Sequence, residues 1–180
     1  SRSFTAVAAG WYHSLGLKAD GSVVAWGNNF AGQSSVPAPN ASFIAVSAGG
    51  HHSLGLKADG SVVAWGYDAW GQTDVPAPNN GFIAISAGGG HSLGLKGDGS
   101  IRAWGLNASD QTDVPAPNTG FVAVAAGSNH SLGLKTDGSI LAWGNICCGG
   151  TDVPAPNSGF VAGAAAGGNY SLGLKADGSI

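Results

Sequence analysis

The 180-residue chain has no methionine and no glutamate, and only two cysteines, Cys147 and Cys148. All ten acidic residues are therefore aspartates, and charged residues make up only 9% of the chain. That is well below the usual quarter. A net charge of −3 leaves no broad basic footprint, so nucleic acid is not expected as a partner. No run approaches the roughly 18 apolar residues of a membrane helix, so no membrane partner is expected either. Adjacent cysteines hold their Cα atoms about 3.8 Å apart, below the roughly 4.4–6.8 Å of an ordinary disulfide. With no third cysteine, two free thiols are expected, and no redox compartment follows. Ser1-Arg2-Ser3 runs straight into repeat sequence, so no leader is legible. A processed chain would look the same, and location stays open.

The chain is rich in glycine, with 32 residues, and the glycines recur at fixed places. Phe4, Phe43, Phe82, Phe121 and Phe160 lie 39 residues apart, and Trp26, Trp65, Trp104 and Trp143 keep the same step. Lys18, Lys57, Lys96 and Lys135 follow it, as do Asp20, Asp59, Asp98 and Asp137. In the fifth copy Lys175 and Asp177 fall 40 after their predecessors, with Ala164-Ala165-Ala166-Gly167 arriving one residue late. A fixed period through five copies marks a repeat architecture and leaves little room for a second domain. The chain is read as a single repeat domain, 1–180, with units 4–42, 43–81, 82–120, 121–159 and a truncated 160–180.

Each unit reads as three strands. Phe43 to Ala48 is an apolar run of β-formers and small residues. Ser53 to Lys57 alternates, with Leu54 and Leu56 on one face, and Val62 to Trp65 is a third run. No window shows helical spacing with caps, so almost no helix is expected. Asp59-Gly60 between two such runs is a strong hairpin signal. Val75-Pro76-Ala77-Pro78 is expected to be extended, because proline also biases its predecessor away from helix. With the first strand running up, the Gly-x-x-His turns and the loops after Trp-Gly share the top. The Lys-x-Asp-Gly turns share the bottom, and the Val-Pro segment carries the chain back down. The expected class is all-β. The expected fold is a β-propeller of 39-residue repeats, with blades of three strands, or three plus one extended segment, and about five blades present. A β-solenoid is the alternative, although it lacks so long a return segment.

Ala8-Ala9-Gly10-Trp11-Tyr12-His13-Ser14-Leu15-Gly16-Leu17 resembles the signature of the regulator of chromosome condensation repeat family. It recurs at Ser47 to Leu56, Ser86 to Leu95 and Ala125 to Leu134, and the Asp59-to-Gly66 continuation also fits. The fifth copy departs, with Tyr170 in the histidine position. The 39-residue unit is similar to a shorter-repeat, bacterial branch of the family. That resemblance implies a seven-bladed propeller with mainly three-stranded blades. It also implies partner binding by loops on one face, without catalysis. A chromatin-associated member acts on a small GTPase and docks on nucleosomes, but the low positive charge gives no reason to transfer that role. Seven units need about 270 residues, and this chain stops after the fifth Asp-Gly turn. Three arrangements fit: part of a larger ring, a five-bladed ring, or an open arc completed by self-association through an incomplete terminal blade.

No nucleophile–base pair, phosphate loop or paired-carboxylate motif is legible, so no catalytic residue, cofactor or enzyme activity is expected. His13, His52, His91 and His130 recur once per unit. In a ring they stand too far apart to share one zinc at about 2 Å, so they are expected to hydrogen-bond the backbone of a neighbouring blade. The third-strand tryptophans are expected to pack between blades. The turn aspartates are expected to bond local backbone. The turns lack enough oxygen ligands for calcium, and no metal site is assigned.

The copies differ mainly on top. The pairs before the histidine are Trp11-Tyr12, Gly50-His51, Gly89-Gly90, Ser128-Asn129 and Gly168-Asn169. Loops after Trp-Gly carry Phe30, Tyr67, Trp70, Asn107, Asp110 and Ile146 in turn. Trp11, Tyr12, Phe30, His51, Tyr67 and Trp70 thus gather on the first two units, where aromatics of this kind can anchor an interface. Asn107, Asp110, Asn129 and Ile146 complete the candidate partner-binding set. The leading expectation is a non-enzymatic scaffold that binds a protein through these loops. The resemblance to the bacterial branch makes inhibition of a β-lactamase or related cell-wall enzyme one specific form of it. A carbohydrate-binding module and a self-assembling structural repeat are the other classes.

Overall fold

In the computed structural model, residues 3–145, 149–163 and 168–180 are described. Unit one holds β1 (Phe4–Ala9), β2 (His13–Lys18) and β3 (Val23–Gly27). Unit two holds β4 (Phe43–Ala48), β5 (His52–Lys57) and β6 (Val62–Gly66), and unit three β7 (Phe82–Ala87), β8 (His91–Lys96) and β9 (Ile101–Gly105). Unit four holds β10 (Phe121–Ala126), β11 (His130–Lys135) and β12 (Ile140–Gly144). Unit five contributes β13 (Phe160–Gly163) and β14 (Gly173–Lys175). Each of the first four units is an antiparallel three-stranded sheet in chain order, and the fifth is two-stranded. Among the described residues there is no α-helix, and so none long and apolar enough to cross a membrane. The architecture is a β-propeller, as the repeat implied.

The cores lie between the blades. Leu15, Leu17 and Val23 of unit one pack with Phe43 and Trp65 of unit two. Leu93, Leu95 and Ile101 of unit three likewise meet Phe121 and Trp143 of unit four. Alternation in the middle strand points both leucines at the next blade. Burying each leucine contributes about 1.5–3 kcal/mol. Phe4 and Trp26 have no preceding unit within these residues. They stack on each other at 6.0 Å, and Trp26 is 46% exposed against 6% for Trp65.

The return segment differs from the extended run expected of it. The chain bends at Ala38–Pro39, Ala77–Pro78, Ala116–Pro117 and Ala155–Pro156, where the peptide bonds are cis. It adds no fourth strand. Instead the asparagine after the second proline copies one strand residue with its side chain. Asn79 Oδ1 accepts from Val62 N at 2.8 Å, and Asn79 Nδ2 donates to Val62 O at 2.8 Å. Asn40, Asn118 and Asn157 do the same for Val23, Ile101 and Ile140.

At the bottom, Asp59 Oδ1 accepts from both Ser61 N and Ser61 Oγ, at 2.9 and 2.6 Å. These bonds, the hydroxyl first, hold the carboxyl below its ordinary range. The lysine of the turn lies over a phenylalanine ring, as Lys57 does over Phe43 with Nζ 5.1 Å from the centroid.

Candidate functional site

The top of the propeller rests on a relay that joins each unit to the next. His52 Nε2 lies 2.9 Å from Ser92 Oγ, and Ser92 Oγ donates to Gln72 O at 2.9 Å. The serine proton is thereby committed, so His52 must carry its proton on Nε2. Trp104 Nε1 donates to the same Gln72 carbonyl at 3.0 Å. His13, Ser53, Gln33 and Trp65 repeat the arrangement, as do His91, Ser131, Gln111 and Trp143. The histidine was expected to bond a neighbouring backbone directly. It reaches that backbone through a buried serine. Nδ1 of His13, His52 and His91 is buried without a partner. Burial first, then the neighbouring histidines, lowers His52 to about 3. Burial likewise lowers His91 to about 4. These imidazoles stay neutral and structural, and among the described residues no group of histidines, cysteines and aspartates could hold a metal ion.

The Gly-x-x-His glycines permit this closeness. A Cβ on Gly49 would stand 2.5 Å from Gly88 O and 2.5 Å from His52 Cε1. The ends of the first strands and these glycines line a central cavity of about 390 Å³, bordered by Trp11, Ala48, Ser86, Ala87 and Gly127 among others. Apart from Trp11, its wall is small side chains and backbone.

Above this frame five of the predicted residues form one continuous aromatic row. Tyr12 stacks on His51 at 5.4 Å, and Trp11 meets His51 edge-on at 5.9 Å. His51 meets Tyr67 at 6.3 Å, and Tyr67 meets Trp70 at 5.3 Å, both edge-on. Each tryptophan sits on a glycine of the following unit. A Cβ on Gly50 would come 3.3 Å from Trp11 Cδ2, and one on Gly90 would come 2.9 Å from Trp70 Cε3. Two of the variable pairs before the histidines thus supply a seat, Gly50 for Trp11 of the preceding pair and Gly90 for Trp70 of the preceding unit's loop. Trp11 and Trp70 remain 57% and 48% exposed, so their outer faces are available to a partner.

The other predicted residues stand outside the row. Phe30 is 99% exposed and packs on nothing. Asn107 is occupied within its loop, donating to Asp113 Oδ1 at 2.9 Å and accepting from Thr112 N. Asp110 has φ of 57°, where the other units place Gly32, Gly71 and Gly149; it is exposed at the loop tip. Asn129 is half-buried, and its carbonyl accepts from Asn145 N. Ile146, with Cys147 and Cys148, lies outside the described residues. Sequence reasoning missed Gln33, Gln72 and Gln111, whose buried side chains and carbonyls organise the loops. Their signal was present, since three of the loops repeat a glutamine at one position where neighbouring residues vary.

Residues 4–33, 43–72, 82–111 and 121–149 match the family model of the regulator of chromosome condensation (RCC1) repeat. Among solved structures, the chain is similar to Prp20p of Saccharomyces cerevisiae, described for its binding to Gsp1p and histones. Identity is 21% over 97% of this chain and 57% of that chain, with a TM-score of 0.83. The ectodomain of the Physcomitrella patens receptor kinase CR4 is 28% identical over 98% of this chain and 48% of that chain, with a TM-score of 0.76. The ectodomain of the Arabidopsis thaliana receptor kinase ACR4 is 30% identical over 78% of this chain and 49% of that chain, with a TM-score of 0.62. The chain thus spans about half the length of these solved relatives. Among curated proteins none matches it significantly.

Proposed function

The chain belongs to the regulator of chromosome condensation repeat family, and on that footing we propose that it binds a protein partner through the top loops of its first three units. The observation that carries this reading is the aromatic row from Trp11 to Trp70, half-exposed and seated on Gly50 and Gly90. Tryptophan and tyrosine held on a rigid frame offer large contact area with little side-chain entropy left to lose. Enzyme inhibition is one form this binding can take, with the row inserted beside a target's active site.

The test is selection of a displayed peptide library on the wild type. Binding is then compared with a variant carrying Trp11→Ala and Trp70→Ala. Selected peptides should bind the variant at least about tenfold more weakly. Equal binding to both proteins rejects the site. Assay of the protein against a panel of β-lactamases tests the inhibitor form alone.

A second reading rests on the propeller ends. Phe4 and Trp26 present an exposed face of the kind that Phe43 and Trp65 bury under Leu15 and Leu17. Leu172 and Leu174 present the complementary exposed face. Further repeat units, in one longer chain or in a second copy, would satisfy both. Light scattering of the 180-residue protein checks the second-copy case, and a monomeric mass at high concentration rejects it.

A further inference from the structure

The two ends of the propeller carry different charge. All five lysines lie at the bottom in the Lys-x-Asp-Gly turns, each two residues from an aspartate: Lys18 with Asp20, Lys57 with Asp59, and so on to Lys175 with Asp177. That end is close to neutral. The top loops carry the other five aspartates, Asp68, Asp74, Asp110, Asp113 and Asp152, and among the described residues no lysine or arginine. Arg102 sits exposed on β9, away from those loops.

The acidic loops and the aromatic row occupy the same end. Asp68 lies between Tyr67 and Trp70, whose rings are 5.3 Å apart. Thr73 N donates to Asp68 Oδ1 at 2.8 Å, which fixes the carboxylate on the loop that carries both rings. Asp110 and Asp113 stand on the next loop, which also carries Leu106, the neighbour of Trp70 above Gly90. Exposed tryptophan and tyrosine faces attract cations through their quadrupole, and exposed carboxylates on the same loops add long-range attraction of the same sign. Neither feature favours an acidic surface.

Resting on the protein-binding reading above, we infer that the partner presents a basic segment to this face, with arginine or lysine side chains laid on the aromatic row between the flanking aspartates. Acidic segments are disfavoured by like-charge repulsion.

The test uses two matched dodecapeptide libraries with the same aromatic and aliphatic content. One carries lysine and arginine without acidic residues, and the other carries aspartate and glutamate without basic ones. The basic library should enrich on the wild type, and its peptides should bind Trp70→Ala at least about tenfold more weakly. They should also weaken about tenfold between ~0.01 M and ~0.1 M salt, where the screening length falls from about 30 Å to about 10 Å. A double Asp68→Asn, Asp110→Asn variant, which leaves three of the five top aspartates, should show a reduced salt dependence while keeping part of the affinity. Enrichment of the acidic library in a Trp70-dependent way overturns the charge inference and leaves the protein-binding face standing. Failure of both libraries to give Trp70-dependent binders overturns both.

Discussion

Mild acid should destabilise this propeller through two histidines. His52 and His91 have a reference value of 6.5, and the fold lowers them to about 3 and about 4 because burial disfavours the charged imidazole. Above 6.5 folded and unfolded chains both hold them neutral, and their contribution to stability is complete. Below 6.5 the unfolded chain binds protons that the fold refuses. Stability therefore falls with falling pH until about 4 for His91 and about 3 for His52. At about pH 5 each histidine costs roughly 2 kcal/mol and the pair roughly 4 kcal/mol. That is a large share of the roughly 5–15 kcal/mol of a whole domain. Burial shifts His13 and His130 in the same direction. The turn aspartates act in a separate window. Their serine bonds lower them from 3.8, so the stability they contribute is present above that value and lost as pH falls through the lower folded values. Urea unfolding followed by tryptophan fluorescence should show stability dropping with a slope approaching roughly 2.7 kcal/mol per pH unit near pH 5. His52→Gln keeps a donor for Ser92 and should remove about half of that slope. A stability that changes by less than about 1 kcal/mol between pH 7 and 5, or an unaltered slope in H52Q, refutes the neutral-histidine relay.

Three further outcomes follow from the same geometry. Ser92→Ala strips His52 Nε2–H of its partner in a buried setting and should cost about 1–3 kcal/mol in urea unfolding, whereas Ser22→Ala in an exposed turn should cost much less. Gly49→Ala forces a methyl against Gly88 O and His52 Cε1, both 2.5 Å from the new Cβ. It should destabilise by about 1–3 kcal/mol, read as a lower thermal midpoint. Gly90→Val drives Trp70 from its seat. It should weaken peptides selected on the wild type by about tenfold while leaving the thermal midpoint within about 4 °C.

Much of the fold was legible because the repeat tests every inference several times over. Phe43, Leu54, Leu56 and Trp65 recur in their copies, and a pattern kept through 39-residue steps must serve something each unit shares. The hairpin at Asp59-Gly60 was legible from local chemistry alone. The return segment was not. In sequence Asn79 only ends the Val-Pro-Ala-Pro segment, and only the placement of β6 beside it shows that its amide stands in for a strand. The serine in the histidine relay was equally hidden, since His52 and Ser92 lie 40 residues apart and meet only when blades stack.

The sequence by itself determined the repeat, the three strands of each unit, the sorting of loops to two ends, and the short list of residues that the repeat leaves free. Periodicity and turn chemistry are local, so they survive without coordinates. Only the tertiary structure decided which free residues act together. Trp11, Tyr12, His51, Tyr67 and Trp70 became one row because adjacent blades bring turns 39 residues apart into contact. Phe30, equally aromatic, stayed outside it. The glycines at 50 and 90 read in sequence as missing side chains. In the fold each is the space that a tryptophan of the preceding unit occupies.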